Sequence, residues 1–473
     1  MTSTTSTDVR IQDLIEQALA LSTTTHCLVI GEELTSANLR WAGNSLTTNG
    51  QAHSRKLVVI SLVDGEQGIS LGVVSRAVTS PDDLAALVAA SEEAARSASP
   101  ADDASPLIEP YDTSDDWDAP AARTGIEVFA EFAPALGRAF AEAEKADRLL
   151  YGFAEQLMSS TFLASSTGLR RRHDQPTGRL ELNAKTRDLA STAWAGAQTR
   201  DWTDIDVEAM AADLGTRLDW SATRIDLPAG RYETLLPPSA VADLMIYLYW
   251  TAAARDAEEG RSVFAAGEGR SRIGETLSQL GITLRSDPAE PGMPARPFQL
   301  VVEGGEESIF DNGAPVPATR WIDNGVLANL QRTRNWATRT GQPFVPFVDN
   351  LIMSGPEGTG AEGEPKSLQE MIAGTERGLL LTCLWYIRTV DPQTLLVTGL
   401  TRDGVYLIEN GEVRGVVNNF RFNESPVDLL SRISEVGRTE RTLPREWSDY
   451  FTRTAMPTLR VADFNFSTVS QAS

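Results

Sequence analysis

Asparagine–glycine and aspartate–glycine pairs recur along this chain between short runs rich in valine, isoleucine and leucine. That punctuation constrains the fold more than any other feature, because such runs joined by tight turns read as antiparallel strands in hairpins. "HCLVIGEEL", "ANLRWAGNSLTTNG" and "KLVVISLVDGEQGISLGVVSRAV" carry the pattern near the N-terminus, and "TLLVTGLTRDGVYLIENGEVRGVVNNFRF" carries it near the other end. Helical spacing is confined to a few stretches. "IQDLIEQALALS" is one, and "SPDDLAALVAASEEAARSA" is a second, with Ser80 as its N-cap and Pro81 at its first position. Others are 121–146, "DIDVEAMAADLGTRLDWSA", "SPVDLLSRISEVG" and the apolar "DLMIYLYW" that follows Pro237 and Pro238. No fixed-period repeat is present, and strands do not alternate regularly with helices. The fold class is therefore α+β with mostly antiparallel sheets and flanking helices: N-terminal α/β modules and a β-rich C-terminal domain.

A length of 473 residues allows two or three domains. The divisions expected are a sheet-and-helix module over 1–96, a linker over 97–120, a middle α+β module over 121–225, and the β-rich domain over 226–473. The linker holds seven acidic residues, four prolines and no basic residue, so it is expected to bury little.

A formal charge of −23 argues against nucleic acid as a partner, since no basic surface would displace counterions from phosphates. The one tight basic run, "RRRHD" at 170–174, reads as a solvated turn. Two cysteines make no disulfide framework, the N-terminus lacks an apolar signal core, and no apolar window approaches the roughly 20 residues of a membrane span. The expectation is a cytoplasmic chain without membrane partners.

The three histidines, His26, His53 and His173, are far apart, so no helix brings two imidazoles together as a zinc hydrolase would. G-x-S-x-G is absent, which leaves a serine triad without an anchor. Cys27 beside His26 points to the opposite face of a strand, and Cys383 reads as a small buried hydrophobe on a strand. "GTGAEG" at 358–363 matches a dinucleotide pattern, but its glutamate neighbours would repel a pyrophosphate, and a flexible acidic loop is the better reading. Carboxylates are plentiful and scattered. A hydrolytic site assembled from them, or around His173, stays open, as does a structural or regulatory binder unconnected with proteolysis.

The helix at 243–250 is apolar nearly all round. Val241, Leu244, Met245, Leu248 and Ala252 form a stripe that would face the core, while Tyr247, Tyr249 and Trp250 fall off it. Such a helix is expected to be covered on several sides, and a subunit interface is one way to cover it.

Several segments, in order, resemble the TldD/PmbA family of metallopeptidases and their companion subunits. They are "FDNGAPVPATRWIDNGVLANLQRTRNWATRTG", with its I-D-N-G-V-L core at Ile322–Leu327, "DNLIMSGPEG" with "SLQEMIAGTERGLLL", and "GVYLIENGEVRGVVNNFRFNESPVDLLSRI". The active branch carries H-E-x-x-x-H on a helix and a cysteine near the C-terminus, which together hold zinc, the glutamate serving as base. Gly260, Arg261, Ser262, Val263 and Phe264 resemble the stretch that follows that motif. Counting back places its first histidine at Met245, its glutamate at Ile246 and its second histidine at Trp250. The C-terminal "TRTAMPTLRVADFNFSTVSQAS" has no cysteine. The resemblance thus implies a TldE/PmbA-like subunit without a catalytic residue, metal or cofactor of its own. Zinc would reside in a TldD-like peptidase partner, and the substrates would be unfolded peptides or peptide precursors. An exposed strand edge in the C-terminal half could receive a peptide by β-addition, with Asn418 and Asn419 as backbone readers or, alternatively, as turn formers.

Overall fold

The computed structural model describes residues 9–77, 81–111, 113–356 and 365–470, and every structural statement below concerns those residues. The Ser80 cap and the 358–363 glycine pattern lie outside them. Chain order begins with α1 (Ile11–Leu21), β1 (His26–Trp41), β2 (Leu46–Gly65), β3 (Gly68–Ala77) and α2 (Leu84–Ser97). It continues with α3 (Phe132–Lys145), β4 (Arg148–Ser165), β5 (Arg170–Thr186), β6 (Thr192–Thr199) and α4 (Val207–Trp220). All six strands form one antiparallel sheet in the order β3-β2-β1-β4-β5-β6. The pairing of β1 with β4, from Leu28 opposite Ser165 to Trp41 opposite Gly152, makes strands of the 1–96 and 121–225 segments neighbours in that sheet.

Both faces of this sheet are covered, which explains its continuous apolar runs. Because side chains alternate along a strand, Cys27 and Val29 of β1 pack under α1 and α2. Leu28 and Ile30 face the other way, against Phe298, Val301, Ile309 and Phe310 of the second half. The β1–β2 hairpin turns at Gly43 and Asn44, both left-handed at φ 57° and 61°, as a two-residue turn that follows the strand twist requires. Asn49–Gly50, which looks like a turn, lies inside β2 opposite Leu39 and Asn38. Asn324–Gly325 and Asn410–Gly411 do form turns, each residue having positive φ.

Segment 97–120 buries more than its composition predicts, since Leu107 and Trp117 lie in the core. The reason is "RRRHD", which is not a solvated turn but the start of β5. Arg172 is buried there, with its guanidinium bound to the Asp116 carboxylate at 2.9 Å, to Asp174 at 2.7 Å and to the Pro120 carbonyl at 2.9 Å. The acidic strap and the basic strand start neutralise each other.

The second half runs β7 (Arg224–Ile225), β8 (Gly230–Leu236), α5 (Pro238–Trp250), α6 (Ala254–Glu258) and β9 (Thr283–Ser286). Next come β10 (Thr319–Asp323), β11 (Val326–Leu327), α7 (Arg334–Thr340), β12 (Leu351–Ser354), α8 (Leu368–Ala373) and β13 (Arg377–Leu381). β14 (Leu384–Asp391), β15 (Leu396–Thr401), β16 (Val405–Glu409), β17 (Glu412–Val417) and β18 (Phe420–Glu424) follow. The chain closes with α9 (Pro426–Leu430), β19 (Ile433–Thr442) and β20 (Thr454–Val469). Cys383 is buried, as expected, but sits in the break between β13 and β14. The helix expected over 425–437 ends at Leu430, and its second half is strand β19, paired to β20.

These strands make one large mixed sheet, and β20 is its hub, pairing with β12, β8, β18 and β19. α5 packs against β20, β19, β8 and α9. Two prolines start α5: Pro237 precedes it in an extended conformation, and Pro238 supplies a first-turn position that needs no N–H donor. Thr251 ends it, its hydroxyl bonding the Tyr247 and Leu248 carbonyls. No helix is long and apolar enough to cross a membrane.

α2 sits so close to β3 that a Cβ built on Gly72 would lie 2.2 Å from the Ser91 carbonyl oxygen and 2.3 Å from the Ala95 nitrogen. Both are backbone atoms that cannot rotate away. Gly72→Ala is expected to destabilise the chain by about 1–3 kcal/mol through overpacking, read as a lowered urea midpoint with an unchanged slope.

Candidate functional site

Met245 and Ile246 are fully buried on α5, and Trp250, at its last position, is half-buried. The helix face is filled by aromatic packing. Trp250 meets Trp447 edge-on with ring centroids 5.1 Å apart and Phe451 at 6.4 Å, while Tyr247 stacks on Trp447 at 5.4 Å. Tyr249 is buried between Trp321 and Phe347, each at 5.0 Å. Its hydroxyl donates to the Val348 carbonyl and accepts from the Val348 N–H, so its polar end is satisfied. Most of α5 is buried inside this chain, while Tyr247 and Trp250 stay partly exposed at one side of the helix. Burying Met245 and Ile246 contributes roughly 1.5–3 kcal/mol each.

One charged side chain interrupts the apolar helix. Asp243 is fully buried, and its carboxylate accepts the Glu446 N–H at 2.9 Å and the Arg445 N–H at 3.3 Å. Its backbone carbonyl takes the Trp447 indole N–H at 2.9 Å. Burial pushes the Asp243 carboxyl well above the usual carboxylate range, opposed by those backbone N–H groups. The side chains at 245, 246 and 250 offer a thioether, an alkyl group and an indole, and both oxygens of the nearby carboxylate are engaged. This surrounding does not fit a zinc ion, which takes imidazole, thiolate or carboxylate donors. Among the described residues no group of three or more histidine, cysteine, aspartate or glutamate side chains is gathered to hold a metal.

Asn418 and Asn419 lie away from α5, on the wall of a cleft of about 260 Å³ to which no α5 residue contributes. Asn418 accepts the Leu227 N–H at 2.8 Å, and Asn419 accepts the Thr401 hydroxyl at 3.1 Å. Both asparagines therefore organise the chain around β17 and β18. Asp403 and Gly404, between β15 and β16, share that wall. Sequence reasoning missed Asp403, although its Asp-Gly pair marked the turn. It also missed Asp243, whose signal was a single charge in an apolar helix.

His173 stands on β5, its Nε2 3.0 Å from the Gln175 amide oxygen. Burial pushes its imidazole down, with Arg296 and Arg453 adding to the effect. Glu307 is half-buried in the loop that packs the second half onto the first sheet. Burial raises its carboxyl to about 7, with Arg296 opposing and Asp349 and Asp311 adding.

Asp243→Ala leaves two backbone N–H groups unpaired in the core and is expected to cost about 2–4 kcal/mol, measured by urea unfolding. Glu307 has its folded pKa raised, so its contribution to stability is present below pH 4.5 and is lost as pH rises through about 7. Glu307→Gln is expected to gain about 1–2 kcal/mol relative to the parent between pH 5 and pH 8, after allowance for partial exposure. Urea midpoints at the two pH values check it.

The C-terminal half matches the sequence profile of the PmbA/TldA metallopeptidase C-terminal domain over residues 229–468, and residues 123–222 match that of the central domain. No curated protein matches the chain. Among solved structures, TldE from Thermococcus kodakarensis superposes with a TM-score of 0.75 at 17% identity, covering 96% of this chain and 99% of that one. A proposed modulator of a DNA gyrase from Thermotoga maritima gives 0.72 at 17% identity, with 96% and 99% coverage. A proposed modulator of DNA gyrase from Bacteroides thetaiotaomicron gives 0.75 at 16%, with 97% and 98% coverage. These likenesses establish the shared fold, and with the two profiles spanning most of its length, the chain belongs to the PmbA/TldA (TldD/PmbA) metallopeptidase family.

Proposed function

We propose that this chain is the metal-free, non-catalytic subunit of a TldD/TldE-type zinc peptidase, acting in the cytoplasm as a heteromer with a TldD-like partner that holds the zinc. Its part is assembly and the guiding of extended peptides, unfolded chains or peptide precursors, toward that partner. The observation that carries the reading is α5. At the place where the family resemblance puts two histidines and a glutamate, Met245 and Ile246 are sealed in the core and Trp250 is packed against Trp447. The Asp243 carboxylate, the one acidic group on the helix, is spent on backbone N–H groups. The side chains at these three positions, a thioether, an alkyl group and an indole, are not ligands that a zinc ion takes. The fold shared with TldE of Thermococcus kodakarensis adds support.

The test is metal analysis and peptidase assay of the purified chain, alone and after co-expression with its cognate TldD-like protein. Alone, the chain is expected to carry substoichiometric zinc and to leave casein and short peptides intact. With the partner it is expected to co-purify and to give zinc-dependent cleavage. Stoichiometric zinc together with cleavage by the isolated chain overturns the proposal.

A further inference from the structure

The loop over 302–307, "VEGGEE", is tied down at both ends and nowhere between. At one end Asn312 clamps Val301, accepting its N–H at 2.7 Å and donating to its carbonyl at 2.8 Å. At the other, Ser308 is buried, and its hydroxyl donates to the Asp103 carboxylate at 2.6 Å. Among the described residues, no hydrogen bond or close ion pair reaches 302–307. Gly304 and Gly305 stand at its middle, and a Cβ on either would meet nothing within 4 Å. The tip of the loop is therefore free to bend.

Glu306 and Glu307 line two adjoining clefts, of about 200 Å³ and about 20 Å³, and Gln331, Arg332 and Thr333 line both as well. Gly304, Gly305 and Trp336 of α7 complete the wall of the larger one, where the Trp336 indole N–H is fixed to the Glu258 carboxylate at 2.6 Å. The half-buried Glu307 carboxyl sits at this shared wall without a donor of its own. The charges around it give little compensation. Arg296 attracts it but gives its Nε–H to the Phe298 carbonyl, while Asp349 and Asp311 repel it. Arg255 is taken up by Asp102 and Arg332 by Glu258, and Glu306 and Asp103 add negative charge to the larger cleft. An ionised carboxyl held here loses hydration and gains no partner, whereas the neutral acid loses far less.

We propose that 302–307 is a flap, laid over these clefts while Glu307 is protonated and lifted from them when Glu307 ionises. Val301 and Ser308 stay anchored, and the two glycines supply the bend. Lifting carries the carboxylate into water, and with Glu306 and Glu307 withdrawn the two clefts become one, open along Arg332. Burial holds the Glu307 carboxyl up at about 7 in the closed arrangement. Closure is therefore favoured below that pH and lost as pH rises through it. The inference concerns this chain alone and stands apart from the peptidase reading above.

The test is bimane fluorescence on the full chain labelled through Gly304→Cys, since Cys27 and Cys383 are buried and escape the label under native conditions. Trp336, which shares the larger cleft with Gly304, quenches the dye while the flap is down. Emission is expected to rise roughly twofold or more between about pH 5 and pH 9, with its midpoint at about 7. With Glu307→Gln added it is expected to stay low throughout, and Glu307→Ala stands in if that variant does not fold. Glu303→Gln, at an exposed position of the same loop, is expected to keep the full rise. Trp336→Phe is expected to abolish the quenching and with it the pH dependence. Emission that does not change with pH, a full rise in Glu307→Gln or Glu307→Ala, loss of the rise in Glu303→Gln, or a rise that survives Trp336→Phe overturns the inference.

Discussion

A single buried carboxylate ties the two sheets together. Asp243 holds the backbone of Arg445 and Glu446 from inside α5, and this fixes the segment between β19 and β20. From that segment Arg445 reaches Glu181 on β5 at 3.0 Å, and the Ser448 hydroxyl reaches the same carboxylate at 3.2 Å. Arg453 bonds Thr177, and Asp449 pairs with Arg179, also on β5. A core residue of the second half thus sets where the first sheet docks. A buried charge earns no stability by itself, but removing one that feeds two backbone donors leaves those donors stranded. The clamp is therefore worth more as a positional constraint than as an ion pair.

The docking surface obeys the same economy of polar groups. The outer face of β1 and β2 meets Phe298, Val301 and Phe310 in a dry layer. Charged residues bridge the two halves elsewhere, where Arg179 meets Glu155 and Asp449 and Arg453 meets Thr177 and the Asp349 carbonyl. For a chain with a formal charge of −23, the arginines are largely committed internally, and the acidic strap over 97–120 is part of that commitment rather than a free tether. The excess negative charge stays on the outside.

Local rules made much of the fold legible. Positive φ at Asn324, Gly325, Asn410 and Gly411 follows from residue type, and the apolar α5 follows from its composition. The misreadings came from partners distant in sequence. "RRRHD" became strand because Asp116 and Pro120 satisfy Arg172 from more than fifty residues away. The stretch after Leu430 alternates well enough for either state, and pairing with β20 decided for strand. Of the candidate site, the α5 positions were legible through resemblance and the asparagines through their place near a strand edge. The cleft was not, because Thr192, Asp403 and Asn418 meet only once both sheets are built.

That separation bears on how such a chain can change its chemistry without losing its fold. α5 lies against the hub strand, where a polar side chain must find a hydrogen-bond partner or give way to something that packs. Met245, Ile246 and Tyr249 fill the interior, and the half-buried Trp250 closes the end of the helix against Trp447. The aromatic contacts of Trp447 and the Asp243 clamp hold the C-terminal segment against the helix. A histidine at 250 would place an imidazole beside Trp447 and Phe451, and the one carboxylate on the helix, Asp243, is already engaged by backbone N–H groups. A polar substitution on the buried side of α5 therefore acts directly on the packing that holds the C-terminal segment and, through Arg445 and Ser448, the first sheet.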